Sequence, residues 1–157
     1  MMHAPLRRVA SAVLLTAIAA CGGGEEPADQ AELEPVEERA VPEAPLGSVS
    51  IVDPAEGQEV EGPSVTVRLE TDVPIRQAGD TTSGTGHHHL FLDADVSEPG
   101  MPVPTVPGSI IHMGDGSAEY TFEEVAPGEH RVIAVVADGL HVPLQPWVVD
   151  TVTFTVR

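Results

Sequence analysis

The sequence predicts an all-β fold, namely an immunoglobulin-like antiparallel β-sandwich of about seven strands over residues 47–157. Three observations predict it. Short runs alternate apolar with polar residues, as in Ser64–Glu70, where every second residue is Val or Leu. Gly, Pro and Asp separate these runs. No window carries the i, i+3, i+4, i+7 apolar spacing of an amphipathic helix.

Each strand is predicted from its own run between turn residues. In chain order the strands are Ser48–Val52, Ser64–Glu70, His87–Val96, Ser109–Met113, Ala118–Glu123, His130–Ala137 and Val148–Val156. Residues 54–63 form a turn-rich connection between the first two. His130–Ala137 is apolar on both faces after Arg131, which indicates a central strand.

The first 21 residues are predicted to be a lipoprotein signal peptide. Arg7 and Arg8 precede the apolar run Val9–Ala20, which is too short for a membrane-spanning helix of roughly 20 residues. Ile18–Cys21 resembles a lipobox, and Cys21 is the single cysteine, so we expect lipidation there. An ordinary signal peptide that contains a cysteine is the alternative.

Lipidation of Cys21 predicts a protein of the cell envelope, anchored in the membrane at the periplasmic face of the outer membrane or at the extracellular surface. With that thiol acylated, no cysteine remains for a disulfide bond or a metal ligand. Residues 22–46 contain eight acidic residues, four prolines and no aromatic residue, which predicts a disordered tether. A partner-binding acidic tail is the alternative for this segment.

Charge and motifs exclude several function classes. The net charge is −18 and the chain has no lysine, which argues against binding to nucleic acid or to anionic lipid surfaces. The sequence lacks a Gly-x-Ser-x-Gly elbow, a phosphate-binding glycine loop after a strand and a His-Glu-x-x-His helix. A hydrolase or nucleotide-binding protein of those types is therefore not expected.

Most of the seven histidines are predicted to meet at one end of the sandwich. If successive strands alternate in direction, the start of His87–Val96, the end of Ser109–Met113 and the loop 138–147 share one end. The histidines brought together are His87, His88, His89, His112 and His141. The inference requires an odd number of strands between Val96 and Ala118.

Strand alternation divides these histidines between two faces. His87 and His89 share a face, whereas His88 points toward the core. We expect His87, His89, His112 and His141 to bind a metal, because neutral imidazole suits zinc and copper. His88 would lie just behind the site, and Asp138 would orient an imidazole.

Other interpretations stay open. The same histidines and loops would also suit a structural rim or a surface that binds an envelope protein or a glycan. An enzyme would need an open position on the bound metal. Further candidates are weaker: Met113 as a copper ligand, Asp93 and Asp95 as calcium ligands, and Trp147 as a stacking residue. His130 is expected at the opposite end in a structural role.

Four segments resemble a bacterial family of uncharacterised domains. "TGHHHLFLDAD", "HMGDGSAEYTF", "APGEHRVIAVVADGLHVP" and "VTFTV" are similar to the domain of unknown function 4399 family over roughly residues 48–157. The resemblance implies a small extracytoplasmic β-domain with no assigned activity. The positions that belong to the family pattern are His87, His88, His89, His112, His130, Asp138 and His141. Met113 departs from it, because many members have an aromatic residue there.

Overall fold

The fold is a β-sandwich, seen in a computed structural model that describes residues 46–157. The predicted signal peptide, Cys21 and almost all of the predicted tether lie outside the described residues. The eight strands are β1 (Val49–Asp53), β2 (Glu59–Val60), β3 (Val65–Thr71), β4 (His87–Leu92), β5 (Ile110–Met113), β6 (Glu119–Phe122), β7 (Gly128–Ala137) and β8 (Val149–Val156). Within this part of the chain, no helix is long and apolar enough to cross a membrane.

The strand order confirms the predicted fold class. One sheet has the order β1-β3-β6, and the other has the order β2-β8-β7-β4-β5. Consecutive strands β3 and β4 lie in different sheets, as do β5 and β6, which is the Greek-key exchange of an immunoglobulin sandwich. The predicted seven strands are all present.

The eighth strand, β2, corrects the sequence prediction. Its two residues pair in parallel with the end of β8, so the sandwich is not wholly antiparallel. The sequence predicts only a turn-rich connection over residues 54–63, and Gly57 and Gly62 flank the strand. Backbone hydrogen bonds make it a strand: Thr155 donates to the carbonyl of Gln58, and Arg157 donates to that of Val60.

Strand β4 is also shorter than predicted, since it ends at Leu92 instead of Val96. The next residue, Asp93, has a φ of 52°, which breaks the extended backbone. Its carboxylate accepts hydrogen bonds from the backbone of Arg131 and the ring of His130, both on β7. These contacts hold the turn.

Two apolar clusters pack on opposite faces of the five-stranded sheet. The inner cluster lies between the sheets and includes Val67, Leu90, Val132 and Phe154. The outer cluster consists of Phe91, Val103, Ile110, Ile133, Val135 and Ala137, with Trp147 packed against it. β4 is therefore buried on both faces, and its outer face is the one that carries the candidate site.

Candidate metal centre

Strand pairing places three histidines on the outer face of the five-stranded sheet. His87, His89 and Phe91 alternate with the inward-facing residues of β4. His112 on β5 lies directly opposite His89, on the same face. His87 and His89 are 0% and 1% exposed, although histidine is ordinarily only partly buried. These two imidazoles therefore lie beneath the protein surface.

The fourth histidine, His141, comes from the β7–β8 connection, and its backbone is held in place. Its φ of 68° is left-handed, which is uncommon for a residue other than glycine. Its amide donates to the carbonyl of Asp138, and its carbonyl accepts the amide of Val103. Such conformations persist where the surroundings over-determine them, frequently at functional sites. The connection thus presents the His141 ring to the β4 histidines.

The four imidazoles meet closely enough to share one ion. One potential ligand atom from each of the four lies within 4.8 Å of the other three. His87 is central: its Nε2 atom is 3.0 Å from Nε2 of His89 and 3.1 Å from Nδ1 of His141. The plane of the His141 ring is at 88° to each of the other three rings. The predicted ligand set is thus assembled from three separate segments.

Burial keeps the imidazoles of His87, His89 and His112 neutral, which is the form that binds metals. Burial, reinforced by repulsion from neighbouring imidazoles, lowers the pKa of His87 to about 4 and that of His89 to about 3. Burial also lowers the pKa of His112, with a further contribution from His141. The lone pairs of these rings are therefore available at neutral pH.

Hydrogen bonds do not account for this cluster. The Nδ1 atoms of His87 and His89 and the Nε2 atom of His112 are buried without a hydrogen-bond partner among the described residues. An unpaired buried polar group costs about 1–3 kcal/mol. A set of neutral nitrogen donors, with no thiolate, suits zinc or copper. The residues present therefore fit a transition-metal ion.

Gly114 is a part of the site that sequence reasoning missed. A Cβ atom at position 114 would lie 2.4 Å from Cε1 and 2.6 Å from Nε2 of His112. Only glycine leaves room for the His112 ring where it lies. The one signal in the sequence is that a glycine follows His112 by two positions.

Of the two residues placed behind the ligands, His88 points toward the core as expected, whereas Asp138 does not orient an imidazole through a hydrogen bond. The Nδ1 atom of His88 bonds with the carbonyl of Ser117, and neither His88 nor Asp138 hydrogen-bonds to a cluster imidazole. The Oδ1 atom of Asp138 accepts the amides of Leu140 and Val142. Asp138 therefore shapes the connection that carries His141, because side chains of this type readily bond to nearby backbone amides.

The weaker candidates fall outside the cluster. His130 lies at the other end of β7, where its ring bonds to Asp93 and to the carbonyl of Ala126, as a structural role requires. Asp93 and Asp95 bond to β7 side chains and backbone instead of facing one another around an ion. Met113 packs in the inner core, and Trp147 packs against the outer cluster.

The family assignment agrees with the sequence resemblance. The model of the family described as "Domain of unknown function (DUF4399)" matches residues 65–157, more than half of the 157 residues. The chain belongs to this family. The matched residues include all four histidines of the cluster. The family description assigns no activity, so function has to be argued from the site.

Comparison with other known proteins adds no functional information. No curated protein matches the chain. Among solved structures, a crystal structure of an engineered protein at 1.98 Å resolution is similar, with 15% sequence identity and a TM-score of 0.41. The match covers 71% of this chain and 20% of that chain, so it spans about a fifth of the solved protein's length.

Proposed function

We propose that this protein is a lipid-anchored domain of the cell envelope that binds one divalent transition-metal ion through His87, His89, His112 and His141. The observation that carries the proposal is the meeting of four imidazoles, two buried and two half-buried, from three segments within 4.8 Å. The low pKa values of His87 and His89 support it, because metal binding requires neutral imidazole.

Counting protons favours a metal over a hydrogen-bonded imidazole network. Each neutral ring has one N–H group and one lone pair. The Nε2 atom of His87 faces ring nitrogens of both His89 and His141. If it donates, it serves only one of them; if it accepts, its Nδ1 atom carries a proton that has no acceptor. A cation between the facing nitrogens takes up their lone pairs together.

The distances also suit an ion. With metal–nitrogen bonds of about 2.0–2.1 Å, the nitrogens of a tetrahedral site lie about 3.3 Å apart. The two measured separations at His87 are 3.0 and 3.1 Å. These two pairs need to separate by only a few tenths of an ångström to admit an ion, and the other ligand atoms already lie within 4.8 Å.

Charge supports the same conclusion. Four neutral ligands leave the charge of a divalent ion uncompensated, and the surrounding protein has to stabilise it. The chain has 25 acidic residues against 7 arginines, which gives a net charge of −18. A field of this sign attracts cations and stabilises them once bound.

The number of ligands favours binding over catalysis. Four protein ligands complete a tetrahedral site, whereas catalytic zinc sites keep one position open. His87 and His89 are fully buried, so solvent reaches the ion from the side of His112 and His141, which are half-buried. The ion would tie β4, β5 and the β7–β8 connection together.

Calorimetry tests the metal proposal directly. The full-length protein is purified without chelators and without a polyhistidine tag, then titrated with Zn²⁺ at pH 7.5. We expect one equivalent to bind. At a hundredfold excess over the dissociation constant, binding should add about 2.7 kcal/mol to the free energy of unfolding and thereby raise the thermal midpoint. The double variant His87→Ala/His89→Ala should lose both effects, whereas His130→Ala should retain them.

The calorimetric titration can also contradict the metal proposal. If the folded wild-type protein binds no divalent metal more tightly than about 100 µM, near −5.5 kcal/mol, the metal proposal is wrong. The cluster would then be a structural or partner-binding element for an envelope protein or a glycan.

The lipid anchor is tested separately. Cys21 follows Ile-Ala-Ala and is the single cysteine, which supports acylation at this position. The wild-type protein should partition into the membrane fraction and require detergent for release, whereas Cys21→Ser should not. Equal membrane retention of the two proteins would contradict the anchor without affecting the metal proposal.

A further inference from the structure

We infer that the ion selected by this centre is Cu²⁺, held in its oxidised state by four imidazoles. The inference rests on the proposed function, because it names the ion that the same four histidines bind. Ligand geometry alone does not decide which ion binds. The nitrogen–nitrogen separations of 3.0 and 3.1 Å lie between the values for a square-planar and a tetrahedral site. With bonds of about 2.0 Å, adjacent nitrogens lie about 2.8 Å apart in a square-planar site and about 3.3 Å apart in a tetrahedral one.

The identity of the donor atoms argues against Cu⁺ and against the common structural zinc sites. Structural zinc sites of the common types include cysteine thiolates, and Cu⁺ is selected by thiolate and thioether sulfur. The cluster contains neither. Met113 follows His112 directly, but adjacent strand residues face opposite ways, and its side chain is buried in the inner core. Nitrogen alone surrounds the ion.

The set contains no carboxylate. The Oδ1 atom of Asp138 accepts two backbone amides of its own connection. The Oδ1 atom of Asp115 accepts the amide of Ser117. Magnesium, calcium and manganese, which favour oxygen ligands, therefore find no suitable donors among the four ligands.

Within the remaining divalent ions, intrinsic affinity favours copper. Nitrogen sites bind divalent first-row metals in an order that reaches its maximum at Cu²⁺ and falls again at Zn²⁺. The acidic charge of the chain also favours the oxidised ion, Cu²⁺, over Cu⁺. Because the ligands are neutral, the negative field of the protein stabilises a doubly charged ion more than Cu⁺. The centre should therefore have a low affinity for the reduced ion.

Two measurements on the full-length protein test the inference. Purified without chelators, the protein receives one equivalent each of Cu²⁺ and Zn²⁺, and the bound metal is determined by elemental analysis after desalting. Copper should exceed zinc at least tenfold. The electron paramagnetic resonance spectrum should show coupling to several nitrogen nuclei, and fewer in His112→Ala and His141→Ala. His130→Ala should give the wild-type spectrum.

The oxidation state is tested with ascorbate and a chelator selective for Cu⁺. Reduction should release the copper from the wild-type protein. His112→Met places a thioether among the ligands, so this variant should retain Cu⁺ better than the wild type. Retention of Cu⁺ by the wild type as tight as that of Cu²⁺ would overturn the inference.

The outcomes separate this inference from the proposed function. Zinc bound equally well or better overturns the choice of copper and leaves the metal centre standing. Binding of neither metal overturns both. Copper bound equally by His87→Ala/His89→Ala would show binding elsewhere on the chain, and the inference would fail.

Discussion

His89 lies directly opposite His112 in the antiparallel pair of β4 and β5, and their rings are inclined by only 27° with centroids 5.2 Å apart. This relationship depends on strand register. A slip of one residue would turn His112 to the inner face, because side chains alternate along a strand. The neighbouring pair Phe91–Ile110 packs in the outer cluster and holds the register. Apolar packing two residues along the strands therefore aligns the candidate ligands.

We expect the metal-free protein to lose stability in mild acid. The pKa values of His87 and His89 are lowered to about 4 and about 3, from about 6.5 in the unfolded chain. Between these values the unfolded state binds more protons, so stability falls as pH decreases from 6.5 toward 4. Denaturant unfolding measures the change, on the order of a few kcal/mol at about 1.4 kcal/mol per pKa unit.

The control for this acid effect is His87→Asn/His89→Asn, which removes both titrating rings and keeps polar side chains of similar reach. Its stability should depend less on pH over the same range. An identical dependence in both proteins would mean that the buried histidines are not its source.

His88→Ala should destabilise the fold and leave the metal centre intact. His88 is 1% exposed, and its Nδ1 atom bonds with the carbonyl of Ser117. Its removal leaves that carbonyl unpaired and opens a cavity, at a cost of about 2–4 kcal/mol in denaturant unfolding. The folded variant should still bind one equivalent of metal by calorimetry. Loss of binding without loss of stability would give His88 a direct role at the ion.

Much of the candidate site could be predicted because strands have a simple period. Alternation alone assigns His87 and His89 to one face and His88 to the other. The predicted meeting of the histidines required an odd number of strands between Val96 and Ala118, and β5 is the one strand in that interval. The direction of each strand then follows from the antiparallel pairs of β4 with β5 and β7.

The burial of the site could not be predicted in the same way. The segments that cover the outer face, around Val103 and Trp147, have no periodic pattern, and their positions depend on tertiary contacts. The hydrogen bond between the Val103 amide and the His141 carbonyl joins residues 38 positions apart. The role of Asp138 was missed for a related reason: its competing partners are backbone amides, which every sequence offers.

Gly114→Ala should weaken metal binding more than it weakens the fold. A methyl group there would lie within 2.6 Å of two atoms of the His112 ring, so the ring must move. Displacement of one ligand of four should lower metal affinity by at least tenfold, or about 1.4 kcal/mol. Calorimetric titration with the metal measures this loss of affinity.

Gly86→Ala is the contrasting variant. Its methyl group would lie 2.6 Å from the backbone carbonyl oxygen of Ala137, so this substitution should destabilise the fold itself. Unchanged metal affinity in folded Gly114→Ala would contradict the role of Gly114 in placing the His112 ring.

At the opposite end of β7, we expect the pair His130–Asp93 to give a loss of stability in mild alkali. The His130 ring faces two acceptors, with Nδ1 2.7 Å from the Asp93 carboxylate and Nε2 2.8 Å from the carbonyl of Ala126. Burial alone lowers the pKa of His130, but these two hydrogen bonds outweigh it and raise the pKa above 6.5. The stabilisation is therefore complete below pH 6.5 and is lost as pH rises through the raised pKa.

The variant Asp93→Asn tests this pair, because asparagine tolerates a positive φ but carries no charge. Its free energy of unfolding at pH 6 should be lower by about 1 kcal/mol, as for a half-exposed pair, and should depend less on pH. Denaturant unfolding between pH 6 and 8.5 measures both, in a range where His87 and His89 stay neutral. Metal affinity should not change in Asp93→Asn, and a stability profile identical to that of the wild type would show that the protonated ring is not what holds this turn.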